Sequence, residues 1–264
     1  MVILVGQATR LAQFLDKDEK EYEAVVRLGF ETDTGDVTGS PKSKLQSPKP
    51  VFAEEIENVL KDFRGEIWQM PPMFSAKKVA GKKLYELARQ GIEIERKPVQ
   101  VKIYELQILR SPENFKSETS LDFGLWTLDF GLRVSCSAGT YIRTLAEDIG
   151  KKLETGAHLA ALRRTRAGKF GVKKSVTLEK LEELVCANQL EKVLISTNEA
   201  VSHLPEIKLS NQDAAKIKNG VRLNVDLTTV ADKDFVRLTE NENLIAVAIY
   251  DKGEKTVRPK VVLL

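Results

Sequence analysis

The sequence is poor in the residues that metal centres and disulfide frameworks require. Its 264 residues hold two cysteines, Cys136 and Cys186, and two histidines. Two cysteines cannot build a disulfide framework, and two histidines cannot build a histidine cluster for a metal. Long apolar runs are missing as well: no stretch approaches the roughly 18 residues of a membrane span. The opening "MVILVGQATR" is apolar for only four residues after Met1, too few for a secretory signal. The expectation is a cytoplasmic protein with no metal and no membrane partner. A large charge excess is also absent, since 41 Lys and Arg face 38 Asp and Glu for a net charge of +3. The composition, 42% hydrophobic and 30% charged, is that of an ordinary globular protein, long enough for one large domain or two smaller ones.

What charge there is lies unevenly. Residues 151–174 carry Lys151, Lys152, Arg163, Arg164, Arg166, Lys169, Lys173 and Lys174 against Glu154 alone, and "KKVAGKK" (77–83) holds lysines and no acid. Basic stripes in a near-neutral chain suit a phosphate backbone, although a solvated face accounts for the charge pattern equally well.

Periodicity predicts the elements. "VILV" (2–5) reads as a buried strand and 9–15 as a short helix, so the chain reads as a fold entered partway. The stretch 20–32 alternates, with Tyr22, Ala24, Val26 and Leu28 on one face of a half-buried strand. Residues 33–50, rich in Gly, Pro, Ser and Lys, form a loop. Helices are predicted over 52–63, over 82–90 with Gly91 as the stop, from Thr140 with Ile142, Leu145, Ala146 and Ile149 on one stripe, and over 177–188 with Thr177 as N-cap. Residues 98–109 and 126–136 alternate as strands around an exposed connection, and 156–172 read as a strand with a turn. Past Leu204 the pattern changes to short strands around one Ser210-capped helix, which puts a boundary near residue 200.

The stretch "VSCSAGTYIRT" (134–144) concentrates the chemistry. A strand runs into small residues, and Arg143 falls in the first turn of a helix, where a cation is unfavourable by roughly 0.3–1 kcal/mol unless it holds an anion. A cysteine phosphatase loop would answer with phosphate, but that pattern places five residues between Cys and Arg, whereas Cys136 and Arg143 have six between them. A small buried Cys136 is the plainer reading. A carboxylate oriented by Arg143 beside an aromatic platform is the alternative, as is a guanidinium that simply bonds nearby backbone.

Five blocks carry a resemblance to a known family: "LVGQATRLAQFL" (4–15), "KEYEAVVRLGFETDTGDVTG" (20–39), "PPMFSAKKVAGKKLYELARQGIE" (71–93), "CSAGTYIRTLAEDIG" (136–150) and "GAHLAALRRTRAGKF" (156–170). In order and spacing they resemble the bacterial tRNA pseudouridine-55 synthases, the TruB family, over nearly all of residues 3–180. The last sixty residues are similar, more loosely, to a PUA-like RNA-binding module. The resemblance implies isomerisation of the T-loop uridine of tRNA without metal or cofactor. It implies that Arg143 pairs with a nucleophilic aspartate, that Tyr22 stacks on the flipped base and that Leu162 lines the pocket. Lys77, Lys78, Lys82, Lys83, Arg163, Arg164 and Arg166 match phosphate-contact positions. Asp33 and Asp36 of "TDTGD" read as residues that fix a turn.

One departure stands out. The family's nucleophile lies in a Gly-Thr-Leu-Asp-Pro type motif just ahead of the first block, and none of the aspartates present has those flanks. The expectation is therefore an N-terminally truncated synthase, inactive as these 264 residues alone, with an incomplete sheet that leaves an aggregation-prone edge. The alternatives are a non-catalytic tRNA-binding protein and, more distantly, the Cys-dependent phosphatase. The expected fold is α+β: a mixed, largely antiparallel central sheet flanked by helices over 1–200, lacking its first elements, and a small β-rich domain over 201–264. The expected partner is the T-arm of tRNA, bound by a monomer.

Overall fold

The computed structural model describes residues 1–16, 18–42, 51–79, 81–110, 119–120 and 125–263. Residues 43–50 of the expected 33–50 loop and nearly all of the 111–119 connection lie outside them. In chain order the elements are a 3-10 turn at Gly6–Leu11, α1 (Ala12–Leu15), β1 (Lys20–Leu28), α2 (Ala53–Leu60), β2 (Gly65–Gln69), β3 (Lys78–Val79), β4 (Lys82–Lys83), α3 (Leu84–Arg89), β5 (Val99–Arg110), β6 (Thr119–Ser120), β7 (Leu125–Trp126), β8 (Leu128–Cys136) and α4 (Ile142–Lys152). There follow β9 (Ala157–Ala167), β10 (Phe170–Gly171), α5 (Leu178–Cys186), α6 (Thr197–Ala200), β11 (Glu206–Lys208), α7 (Asn211–Lys218), β12 (Leu223–Asn224), β13 (Phe235–Glu240), β14 (Asn243–Asp251) and β15 (Thr256–Val262).

Two compact units emerge. One is Asp18–Lys173, and the other joins Met1–Lys17 to Lys174–Leu264. The line thus falls elsewhere than the 1–200 and 201–264 division expected from composition. The physical reason is apolar packing: Leu11, Phe14 and Leu15 join Val201, Leu204, Leu244, Val247, Val261 and Leu263 in one cluster. The Phe14 ring meets Phe235 edge-on at 5.0 Å between centroids. The "VILV" stretch is not a buried strand. It has no strand partner among the described residues, and Val2, Ile3 and Val5 are exposed.

In the Asp18–Lys173 unit a six-stranded sheet runs in the order β10-β9-β1-β8-β5-β2, every neighbouring pair antiparallel. Parallel pairing between named strands is found, among the described residues, in the other unit, while here an isolated parallel bridge joins Asp36 to Leu159. Alternation puts Ala24, Val26 and Leu28 of β1 beside Phe130, Leu132 and Val134 of β8, all buried. This front face is covered by Ile56 and Leu60 of α2 and by Ile142, Leu145, Ala146 and Ile149 of α4. Each such Ile or Leu side chain contributes about 1.5–3 kcal/mol on leaving water. Gly150 lets α4 lie close on β9, because a Cβ there would fall 2.4 Å from both Cβ and N of Ala157.

In the second unit a five-stranded sheet runs β11-β13-β14-β15-β12, with β11 and β13 parallel. Ser210 caps α7, its hydroxyl accepting from Asp213 N at 3.2 Å. Val236, Leu238, Ala246, Ala248 and Tyr250 fill the core with Ile217 of α7.

Candidate active site

Two β-bulges on β9 decide which of its side chains reach the front face. Pairing runs Leu28–Ala157, Arg27–His158 and Val26–Leu159, then jumps to Val25–Ala161, so Ala160 is an extra residue. It continues Ala24–Leu162, Glu23–Arg163 and Tyr22–Arg164, then jumps to Glu21–Arg166, leaving Thr165 extra. Bulges break the period of two and re-aim everything beyond them. Buried Leu159, then Leu162 and Arg164, therefore share the face of Tyr22 and Ala24, whereas Arg163 and Arg166 turn to the opposite face. There Arg166 donates to Ser135 Oγ at 3.2 Å and to the Gly168 carbonyl at 3.2 Å, and lies 3.6 Å from Glu19. Leu162 is 47% exposed, so packing into the core does not explain it.

Arg143 is the second residue of α4. The helix opens at Ile142 rather than Thr140, whose hydroxyl instead donates to the Ser137 carbonyl at 2.9 Å. The cap comes from a distant strand. Gln69, 1% exposed at the end of β2, accepts from Tyr141 N–H at 2.9 Å and donates to the Tyr141 carbonyl at 3.3 Å. From this fixed start the Arg143 guanidinium donates through Nη1 to Asp36 Oδ2 at 3.2 Å and the Thr34 carbonyl at 3.4 Å, and through Nη2 to the Phe74 carbonyl at 2.8 Å. Arg143 thus holds a carboxylate and backbone together. The Nε–H and the second Nη2 hydrogen have no partner among the described residues.

Asp36 does more than fix a turn. Its Oδ1 accepts from Thr34 Oγ1 at 2.8 Å and Thr38 N–H at 3.1 Å, with the Thr38 hydroxyl also on it. Burial alone would push its carboxyl up. The Thr38 and Thr34 hydrogen bonds and the Arg143 charge outweigh that and hold it below the usual aspartate value. Gly35 stands in the left-handed region at φ +73°, and a Cβ there would meet Glu147 Oε1 at 2.9 Å. The loop lies along β9: Val37 N–H donates to the Leu159 carbonyl and Leu159 N–H to the Gly35 carbonyl, each at 3.0 Å. Leu162 is three residues further along the same strand, about 10 Å.

Tyr22 is half-buried. Burial pushes its phenol up, and the charge of the Arg164 guanidinium opposes this. Cys136 is fully buried, its thiol pushed up by burial. It offers no thiolate, and the phosphatase reading loses its nucleophile.

The predicted basic segment forms the β3–β4 hairpin. Lys78 pairs across from Lys83, and Val79 from Lys82. Like charges directly opposite are destabilising without an anion. Lys83 Nζ donates to the Tyr85 hydroxyl at 3.3 Å, and Arg89 lies over the same ring, 5.3 Å from its centroid. Lys77 lies at the hairpin's base, its carbonyl accepting from Leu84 N–H at 2.9 Å, while the Ser75 carbonyl accepts from Tyr85 N–H at 3.0 Å. The strand carrying the lysines is thereby joined through Ser75 to Phe74, on which Arg143 bears. The structure brings together Tyr22, Leu162 and Arg164 on one face, and joins Arg143 to the hairpin through a single loop. It does not bring Arg163 or Arg166 to them.

Sequence reasoning missed Gln69, Gly35 and the Phe74 carbonyl, and it gave Asp36 too small a part. Only Gly35 and Asp36 had a signal, the Gly-Asp pair inside "TDTGD". Among the described residues no group of three or more His, Cys, Asp and Glu could hold a metal ion, and no helix is long and apolar enough to cross a membrane.

The fold is that of the pseudouridine synthase Cbf5. The structure titled "Crystal Structure of a Cbf5-Nop10-Gar1 Complex" matches with a TM-score of 0.66 at 24% identity, covering 98% of this chain and 70% of that one. The structure of an H/ACA RNP bound to a substrate RNA containing 2'-deoxyuridine matches at 0.66 and 23%, with the same coverage. The sequence narrows the class. The model of the TruB family pseudouridylate synthase N-terminal domain matches residues 1–142, and that of the tRNA pseudouridylate synthase B C-terminal domain matches residues 143–202. The chain is 40% identical over 253 residues to tRNA pseudouridine synthase B of Bacillus cereus, covering 96% of this chain and 79% of that protein. It is 43% identical over 223 residues to the same enzyme of Geobacillus kaustophilus, covering 84% and 75%. The chain belongs to the TruB family of pseudouridylate synthases.

Proposed function

We propose that this chain acts on tRNA, receiving the T-loop uridine at position 55 against Tyr22, Leu162 and Arg143, as a cytoplasmic monomer. The observation that carries the reading is the sorting of β9, which turns an exposed leucine and one arginine to the tyrosine's face, three residues from the loop that Arg143 clamps. Taking a base out of its stack costs a few kcal/mol. A tyrosine ring and a leucine side chain supply the apolar surface that offsets it. The unspent donors of Arg143 suit a further carboxylate or a developing negative charge. The curated relatives, named for tRNA, support the substrate class.

Lys78, Lys82 and Lys83 of the hairpin and Lys77 at its base are the candidate phosphate contacts, because the juxtaposition of Lys78 and Lys83 favours an anion. Residues 201–264 act as a PUA-like second RNA contact. Covalent isomerisation needs a nucleophilic carboxylate. Asp36 is unsuited, because its lone pairs are engaged by Thr34, Thr38 and Arg143. The test is a T-arm stem-loop labelled with tritium at uridine C5. Binding that Arg143→Ala and Tyr22→Ala both weaken supports the reading, and absence of binding contradicts it.

A further inference from the structure

We propose that Arg164 is a positioning residue, its guanidinium holding the Tyr22 phenol so that the ring presents a fixed face to the uracil. The proposal rests on the uridine-binding reading above, and goes beyond it by giving Arg164 a task other than phosphate contact.

The register is the first observation. Without the bulge at Ala160, Arg163 would stand opposite Tyr22 and Arg164 opposite Glu21, on the back of the sheet. Without the bulge at Thr165, Arg166 would stand opposite Lys20 and share the front face. With both bulges, Arg164 is the arginine of "ALRRTRA" that faces Tyr22. The second observation is the fate of the others. Arg166 is spent on Ser135, Gly168 and Glu19 on the back face, and Arg163 stands opposite Glu23. Two irregularities in one strand thus deliver a single cation to a single phenol. The third is electrostatic: the Arg164 charge acts on the Tyr22 phenol and opposes the effect of its burial.

A guanidinium has donors only, so in the proposed pairing Arg164 donates to the phenol oxygen. That leaves the phenol hydrogen directed away from the arginine and removes rotational freedom from the tyrosine. The titratable groups acting on Tyr22 are Arg164 from β9 and the Cys136 thiol from β8. A planar cation on a phenol is also replaceable in part by an ammonium, which predicts partial rescue by lysine.

The test compares Arg164→Gln and Arg164→Lys in the full 264-residue chain. Tyrosinate absorbance is titrated in each background with and without Tyr22→Phe, and the difference isolates Tyr22. The expected result is a midpoint raised by about 0.5–1 pH unit in the glutamine variant, with at least half of it restored by lysine. Near-ultraviolet circular dichroism confirms that both variants are folded. An unchanged midpoint in a folded glutamine variant overturns the proposal. The salt dependence of T-arm stem-loop binding is measured alongside. An unchanged slope supports a positioning role, whereas a slope reduced by about 0.7–0.9 marks a phosphate contact and overturns it. Failure of the wild-type chain to bind the stem-loop, with the titration shift intact, overturns the substrate reading and leaves the Arg164–Tyr22 pairing standing.

Discussion

Arg143 and Asp36, distant in sequence, meet with Nη1 3.2 Å from Oδ2, and their meeting fastens the loop around Gly35 to the first turn of α4. The pair is about three-quarters buried on each side, with 29% and 26% of the side chains exposed. Removing one partner leaves the other with unpaired hydrogen bonds. Asp36→Ala is expected to cost about 1–3 kcal/mol, read by urea unfolding.

The same carboxyl has a folded value below its unfolded one. Its stabilisation is complete above the ordinary aspartate value of 3.8 and is lost as pH falls through the lower folded value. Asp36→Asn is expected to flatten the acid limb of the stability curve in that window. A limb identical to wild type would show that the pairing contributes nothing.

Gln69 caps α4 with both ends of one amide while 1% exposed. Gln69→Ala leaves the Tyr141 N–H without a partner, while the Tyr141 carbonyl keeps the Leu145 N–H, and is expected to lower stability by about 1–3 kcal/mol. Hydrogen exchange at the start of α4 should accelerate more than at β14. Uniform loss of protection would assign the effect to global destabilisation instead.

Gly35→Ala must place a side chain at positive φ against the Glu147 carboxylate. About 1–3 kcal/mol is expected, together with weakened binding of a T-arm stem-loop. A variant as stable and as tight-binding as wild type would mean that the loop relaxes freely.

His158, 1% exposed, touches the Phe30 carbonyl at 3.0 Å through Nδ1 and packs on the Phe30 ring. Burial pushes its pKa below 6.5. The unfolded chain therefore takes the proton first as pH falls, and stability drops from about 6.5 down to the folded value. Glu147 and Asp148, pushed up by burial, oppose this by gaining stability on protonation. The clean readout is the wild-type curve minus that of His158→Gln between pH 8 and 5, which should fall toward acid.

Much of the fold was legible because apolar periodicity reports burial directly. The stripe Ile142, Leu145, Ala146 and Ile149 and the alternation Ala24, Val26, Leu28 are buried as the periods require. The site was legible less evenly. Arg143 stood out as a cation in the first turn of a helix, whereas Tyr22 and Leu162 came from resemblance; all three are exposed or half-buried around β1, β9 and α4. Bulges carry no marker in "AALRRTR", so three arginines read as one basic stripe although two turn away. Gln69 was invisible because a cap supplied across 72 residues leaves no local pattern. "VILV" misled because a short apolar run predicts a strand only if a partner strand is there to bond it.

The most direct measurement is competition between a T-arm stem-loop and an anticodon-arm stem-loop of equal length for the 264-residue chain. Equal length equalises the phosphate charge, so preference reports the site. A T-arm preference of at least about tenfold (about 1.4 kcal/mol) is expected, erased by Arg143→Ala and by Tyr22→Ala and kept by Arg166→Ala. Equal affinity for the two arms, or a preference untouched by the Arg143 and Tyr22 variants, would contradict the account.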